Sequence, residues 1–518
     1  MITKMKKTLC ISLIGLLLAC NSSQKTIIPA VKQVVSPKFY AETITQGELK
    51  EHLFIYASDE FEGRETGEPG QKKAVAYLKA EYEKLNISAA KQNGDYFQKV
   101  PLEIAQMPTG SLVINGTMFT LGEDFISFNG AGANFNEIVY AAYGIEEGAY
   151  SNFKNIDITN KLVLIKDGEP KNSDGTYVLS GTEKPSKWSK DPMKRIQFAM
   201  DKGAKGVLLY SPNLFPRVLA YYNRFKKNSS GRMSVKGLQK TGFSANINDE
   251  MVAAILPNIL ADNTPKILSK TISSDIKGNA EEIDSENVIA FIKGTEKPDE
   301  YVVISSHLDH IGVSDDGQIN NGADDDGSGT VALLEIAEAF KNASEAGDGP
   351  KRSVVFLHVT GEEKGLLGSL YYTDVEPIFP LSKTVANLNI DMIGRIDPKR
   401  EGERNYIYLI GSDKLSAELH ELSEAVNLKY TNIELDYTYN DESDPNRFYY
   451  RSDHYNFAKN NIPIIFYFNG THDDYHKPGD TPDKINYDLL ENRTRLVFYT
   501  AWEVANREKP VAVDRLVE

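Results

Sequence analysis

From Asn287 onward the chain repeats one pattern: a short, unbroken apolar run rich in Val and Ile, followed by residues of helical periodicity. The runs are NVIAFI (287–292), YVVISSH (301–307), SVVFLHVT (353–360), TVANLNID (384–391) and NIPIIFYF (461–468). Helical spacing fills Thr330–Asn342, Leu366–Asp374 and Ala417–Val426. Unbroken apolar runs are the mark of strands covered on both faces. Their alternation with helices predicts an α/β fold: a mostly parallel mixed sheet sandwiched by helices. Ligands of such sheets bind beyond the carboxyl ends of the strands. The residues that follow each run are therefore where a site is to be sought.

Five segments at or after these runs carry metal-binding side chains. They are SSHLDH (305–310), NGADDDGSG (321–329), TGEEKG (360–365), NLNIDMIG (387–394) and DYHKPGD (474–480), and they supply His307, Asp325, Glu362, Glu363, Asp391 and His476. Two imidazoles with several carboxylates suit zinc or a similar divalent ion. Two such ions about 3.5–4 Å apart need a carboxylate that bridges them, and together they make water a nucleophile at neutral pH. One carboxylate is left over to take and return a proton. Glu362 and Glu363 leave a strand on a turn where neighbouring side chains diverge, so one can bind metal while the other faces water. Asp309 is placed to orient the His307 imidazole, and Asp480 to do the same for His476.

Rival readings have less behind them. Asp324, Asp326 and Ser328, with Glu335 at the twelfth place, nearly fit a calcium loop. A calcium hand needs a helix before the loop, and here a strand precedes it. His358, His52 and His420 read as packing or surface residues; His310, His454 and His472 lie near the site without being assigned as ligands. The chain has no HExxH, no phosphate loop and no G-x-S-x-G elbow, so the corresponding metalloprotease, nucleotide and serine-hydrolase chemistries have no support.

The order, spacing and context of the five segments resemble metallopeptidase family 28, the co-catalytic dizinc exopeptidases, over roughly residues 40–110 and 280–505. The resemblance implies two adjacent zinc ions, with cobalt or manganese served by the same ligand types. It puts His307 and Asp391 on one ion, Glu363 and His476 on the other, and Asp325 across both. Glu362 becomes the general base, the Asp325–Asp326 peptide is cis, and Tyr449 hydrogen-bonds the oxyanion. The implied activity is removal of N-terminal residues from peptides. Alternatives on the same scaffold are a carboxypeptidase or dipeptidase, a glutaminyl-cyclase-like transferase using one zinc, and a non-catalytic binding module. A carboxypeptidase needs a basic clamp, for which Arg395, Arg447 and Arg451 are candidates.

The first half of the chain supplies address and accessories. Residues 1–19 read as a signal peptide: Lys4, Lys6 and Lys7 precede an apolar run too short for a confident membrane span. The run ends Leu17-Leu18-Ala19-Cys20, which resembles a lipoprotein signal with lipid attached at Cys20. Cys10 and Cys20 are the only cysteines, so no disulfide framework is expected in the exported chain. Residues 20–40 read as a tether and 41–114 as the first part of the catalytic domain. Residues 115–275 resemble a protease-associated (PA) domain, through NEIVYAAYG, KLVLIKDG and KGVLLYSP with a helix at Arg195–Lys202. Residues 276–510 complete the catalytic domain. A net charge of −15 argues against nucleic acid as partner. Peptides are the expected substrates, and the N-terminal lipid is the only expected tie to a membrane.

Overall fold

The five apolar runs become five adjacent strands of one ten-stranded sheet. In spatial order they are Ala280–Ile292, Arg352–Val359, Lys297–His307, Thr384–Ile390 and Ile464–Phe468. The last four run parallel. Ala280–Ile292 is antiparallel to its neighbour and is joined by Phe97–Ala105 and Met233–Val235. On the far side Tyr406–Ile410 is antiparallel and Glu434–Asp436 pairs parallel with it. The sheet is mixed, with its parallel part at the centre. The computed structural model describes residues 36–515 apart from 131, 133, 190, 229–230, 239–241 and 279.

Helices cover both faces. Every residue of Arg352–Val359 and Thr384–Ile390 is buried. Successive strand side chains point to opposite faces, and Phe356 meets Phe340 of the helix Gly329–Glu345, which itself meets Phe498 of Tyr487–Asn506. Val355 and Leu357 instead join Val303, Tyr372 and Phe457 on the other face. Each large apolar side chain buried in this way contributes about 1.5–3 kcal/mol. The register matters for function. His307 pairs with Val359 and Ser305 with Asn389, so the carboxyl ends of these three strands reach one edge together.

Two N-terminal helices run over Gln46–Tyr56 and Pro69–Lys84. Thr45 caps the first by accepting from the Glu48 amide, and Pro69 opens the second where its missing N–H costs nothing. The signal segment, Cys20 and the tether up to residue 35 lie outside the described residues. The end of the expected tether belongs to the body. Pro37–Ala41 is a short helix whose Tyr40 stacks on Trp502 with centroids 5.7 Å apart. Among the described residues no helix is long and apolar enough to cross a membrane.

A second, six-stranded sheet lies within the 115–275 segment. Its order is Lys266–Leu268, Ile138–Tyr140, Leu162–Lys166, Gly206–Tyr210, Phe243–Ile247 and Phe125–Ile126. The three runs read from the sequence supply its middle strands, and the helix between two of them is Pro192–Asp201. The limit drawn at 115 falls inside a hairpin, Ser111–Ile114 with Thr117–Thr120, which Ile272–Ser274 extends. Its turn is Asn115-Gly116, with φ of 48° and 88°, the pairing that a two-residue hairpin turn favours. Met233–Val235 leaves this region to pair with Phe97–Ala105 of the main sheet.

Candidate metal centre

His307 is the last residue of its strand. Its Nδ1 lies 3.0 Å from the main-chain oxygen of Asp309, which turns Nε2 toward Asp325 Oδ1 at 3.2 Å and Asp391 Oδ1 at 3.6 Å. Asp391 follows directly on the Thr384–Ile390 strand, and its other oxygen accepts from Ser452 Oγ at 2.6 Å. Glu362 and Glu363 follow Arg352–Val359 on a turn through Gly361 at φ 66°. From the segment after the last strand, His476 brings Nε2 to 3.1 Å from Asp325 Oδ2 and 3.2 Å from Glu363 Oε2. Two ligand sets thus share Asp325: His307 with Asp391, and Glu363 with His476. The Asp325–Asp326 peptide is cis.

The donor set fits divalent metal. His307 Nε2 and Asp325 Oδ2 are buried without a hydrogen-bond partner, a costly arrangement unless something else occupies the space between them. Without metal, protons do that work. Burial alone would lower the His476 pKa, but the facing carboxylates of Asp325 and Glu363 override it and raise the ring to about 10. Burial alone would raise Asp325, yet the facing rings of His307 and His476 hold it well below the usual carboxylate range. A cation entering the site must therefore displace imidazole protons. Zinc titrated into metal-free protein at pH 7 is expected to release protons. Apparent affinity should rise with pH up to about 10, where His476 loses its proton unaided. Calorimetry in buffers of different ionisation enthalpy measures this, and equal heats in all buffers would contradict it.

Asp309 orients His307 as expected, but through its main-chain oxygen, with its carboxylate 4.0 Å from Nδ1; Asp480 acts otherwise than expected. The Asp309 carboxylate accepts from Thr66 Oγ1 at 2.7 Å and from the Glu362 amide at 3.2 Å. It fixes the turn that presents Glu362. Asp480 does not pair with His476; its Oδ2 accepts from the amides of Asp324 and Asp325 at 2.9 and 3.2 Å. That correction follows from the loop, whose main-chain donors need a partner once buried. The calcium reading fails for a related reason. Asp326 accepts from the His307, Gly329 and Met392 amides, and Asp324 from Ser328, Gly394 and Asn469.

A small cleft, of about 30 Å³, opens over the cluster, lined by Asp325, Glu362 and Asp391 together with Met392, Phe448 and Tyr475. Tyr449 does not line it. Its ring lies against Gly411 and under Lys414, and it packs with Tyr450, His454 and Tyr455. The phenol in the cleft is Tyr475, stacked on His476 with centroids 3.9 Å apart. Burial, then the charges of Asp325, Glu363, Asp391 and Glu362, push its ionisation far up, so it is a hydroxyl donor at any working pH. The signal was present in the sequence as Tyr475 immediately before His476. Tyr475→Phe should lower kcat about 10²-fold with KM little changed, as loss of one oxyanion donor does. Tyr449→Phe should stay near wild type; the reverse pattern would restore the sequence-based assignment.

Arg64 escaped the sequence, and His310 and His472, read only as lying near the site, have partners in it. Arg64, buried, donates to the carbonyls of Asn321 and Gly322 and ties the Asp325 loop to the N-terminal segment. His310 Nδ1 lies 3.0 Å from Glu363 Oε1, and with Asp325 it could complete a metal-holding group. His472 Nε2 lies 3.2 Å from Asp324 Oδ2, behind the loop. His454 turns to the Tyr449 carbonyl. His358 is a satisfied core residue between Tyr82 and Ser306, as its apolar setting predicts.

Residues 287–501 match the model of Peptidase family M28. The matched stretch contains every residue of the two ligand sets and Glu362. The Leucine aminopeptidase 2 of Arthroderma otae is 27% identical over 262 residues, 46% of this chain and 48% of that protein. The probable glutamate carboxypeptidase LAMP1 of Arabidopsis thaliana is 36% identical over 106 residues, 20% of this chain and 14% of that protein. The chain thus spans half or less of the curated relatives it matches. Among solved structures, an aminopeptidase from Aneurinibacillus sp. strain AM-1 aligns at a TM-score of 0.46 and 19% identity, over 93% of this chain and 99% of that one.

Proposed function

We propose that the protein is an exported dizinc aminopeptidase that removes N-terminal residues from peptides. The observation that carries this reading is the sharing of Asp325 by two His–carboxylate sets while Glu362 stays outside both. A single-metal transferase has no use for the second set, and a binding module has no use for the spare base. When bound, two divalent ions supply Lewis-acid polarisation of a carbonyl and lower the pKa of water.

The chain's own groups do the rest. Glu362, half-buried at the cleft floor, is pushed up by desolvation there, against the opposing charge of His307. It accepts the proton of the attacking water and returns it to the departing amine. The Asp309 carboxylate keeps the Glu362 amide, and so its turn, in place. Tyr475 donates its hydroxyl to the oxygen of the tetrahedral adduct. Turnover of amino-blocked and carboxyl-blocked peptides decides the matter. Cleavage only when the amine is free supports the aminopeptidase, and cleavage only when the carboxylate is free supports the carboxypeptidase.

The same reading takes residues 115–275 as a PA domain controlling access or spacing, and Cys20 as the lipidated residue. Cys20→Ser should move the protein from the membrane fraction to the soluble one without altering its specific activity.

A further inference from the structure

Beside the cleft, the aromatic rings of the FYYR segment gather cations that form no close ion pair. Arg451 stacks on Phe448 at 5.0 Å, Arg447 on Tyr450 at 4.7 Å, and Lys414 lies over Tyr449 at 5.1 Å. The neighbouring arginines are engaged: Arg395 with Asp474 and Asp480, Arg400 with Glu434 and Asp436, Arg404 with Asp488. Among the described residues Arg451, Arg447 and Lys414 have no carboxylate within 4.0 Å. In a chain of net charge −15, two such cations on one short segment, with Lys414 over its Tyr449, set this rim apart from its surroundings.

Only Arg451 of the three lines the cleft with Asp325, Glu362 and Asp391. Those acids are not its partners. Asp391 is held by Ser452 and faces His307, and Asp325 lies between His307 and His476. Arg451 is itself exposed. Stacking on an aromatic face leaves the in-plane donors of a guanidinium free, and their fork matches a carboxylate bidentately. Met392, Phe466 and Phe468 line the same cleft and give it an apolar wall beside Arg451.

We propose that Arg451 holds a carboxylate of the bound peptide, from an acidic side chain or from the C-terminus of a short peptide. The proposal rests on the peptidase reading and narrows it to anionic, short or acidic peptides. It also separates the three arginines that the sequence left equivalent: Arg395 is locked in ion pairs and Arg447 lies outside the cleft lining.

The test is binding by calorimetry to metal-loaded Glu362→Gln protein, with and without Arg451→Met. The probes are leucyl-glycyl-glycine, its C-terminal amide, and glutamyl-glycyl-glycine amide. A carboxylate-bearing probe should bind roughly tenfold or more tighter than the leucyl amide, and Arg451→Met should erase that gap, as loss of a charged hydrogen-bonded pair does. Arg451→Lys should restore part of it. A gap for leucyl-glycyl-glycine identifies the C-terminus as the source, and a gap for the glutamyl amide identifies the side chain. Equal affinity for all three probes, or a gap that survives Arg451→Met, overturns the proposal. If Glu362-bearing protein hydrolyses no peptide, the proposed function falls, while the affinity gap still decides the role of Arg451.

Discussion

Glu362→Gln is expected to lower kcat by about 10²–10⁴-fold, a cost of roughly 3–5 kcal/mol at the transition state. Metal content and substrate affinity should stay near wild type. The contrast is what makes the experiment informative. Glu362 and Glu363 are adjacent, yet Glu363 pairs with His310 and His476 whereas Glu362 lines the cleft. Glu363→Gln should therefore lose metal as well as activity, and Glu362→Gln activity alone. The amide in Glu362→Gln keeps the shape of the side chain and the Asp309 bond to its main chain, so misfolding is not the expected cause of any loss. Turnover within tenfold of wild type, or metal lost in parallel, would remove Glu362 from its assigned role.

The parts of this centre that were legible in the sequence are those governed by strand ends. Parallel register brings residues at the carboxyl ends of neighbouring strands to one edge, so His307, Glu362, Glu363 and Asp391 could be placed together once the apolar runs were read as strands. What was not legible depends on loops. Asp480 lies four residues beyond His476, and nothing local shows that its carboxylate turns to the Asp324 and Asp325 amides. Tyr449 and Tyr475 are both aromatic residues near ligand segments. Only tertiary packing sets the half-buried ring of the first among Tyr450, His454 and Tyr455 and lines the cleft with the second. The tether was overextended for a similar reason: PKFYA is short and carries little pattern, yet Tyr40 finds Trp502 far along the chain.

The second large effect follows from the bridge. Asp325→Asn is expected to leave at most one equivalent of tightly bound metal and turnover close to the uncatalysed background. Asparagine has nearly the volume of aspartate but carries no charge and has one oxygen fewer to share. The two ligand sets would then lose their common member. The metal-free protein also loses something, because His307 and His476 each face Asp325 at 3.2 and 3.1 Å. With that partner neutral, each ring loses one of the charges that hold its proton and gives it up more readily, although Asp391 still faces His307 and Glu363 still faces His476. This sharpens the test. Wild-type protein should gain about 2.7 kcal/mol of stability at a metal concentration 100 times Kd, seen as a rise in thermal midpoint, with protons released on binding. Asp325→Asn should show a smaller rise and fewer protons released, since less metal binds and less histidine proton is there to displace. A variant that kept two metal ions and the full thermal shift would mean that the two His–carboxylate sets are independent sites, and the shared-carboxylate arrangement would have to be abandoned.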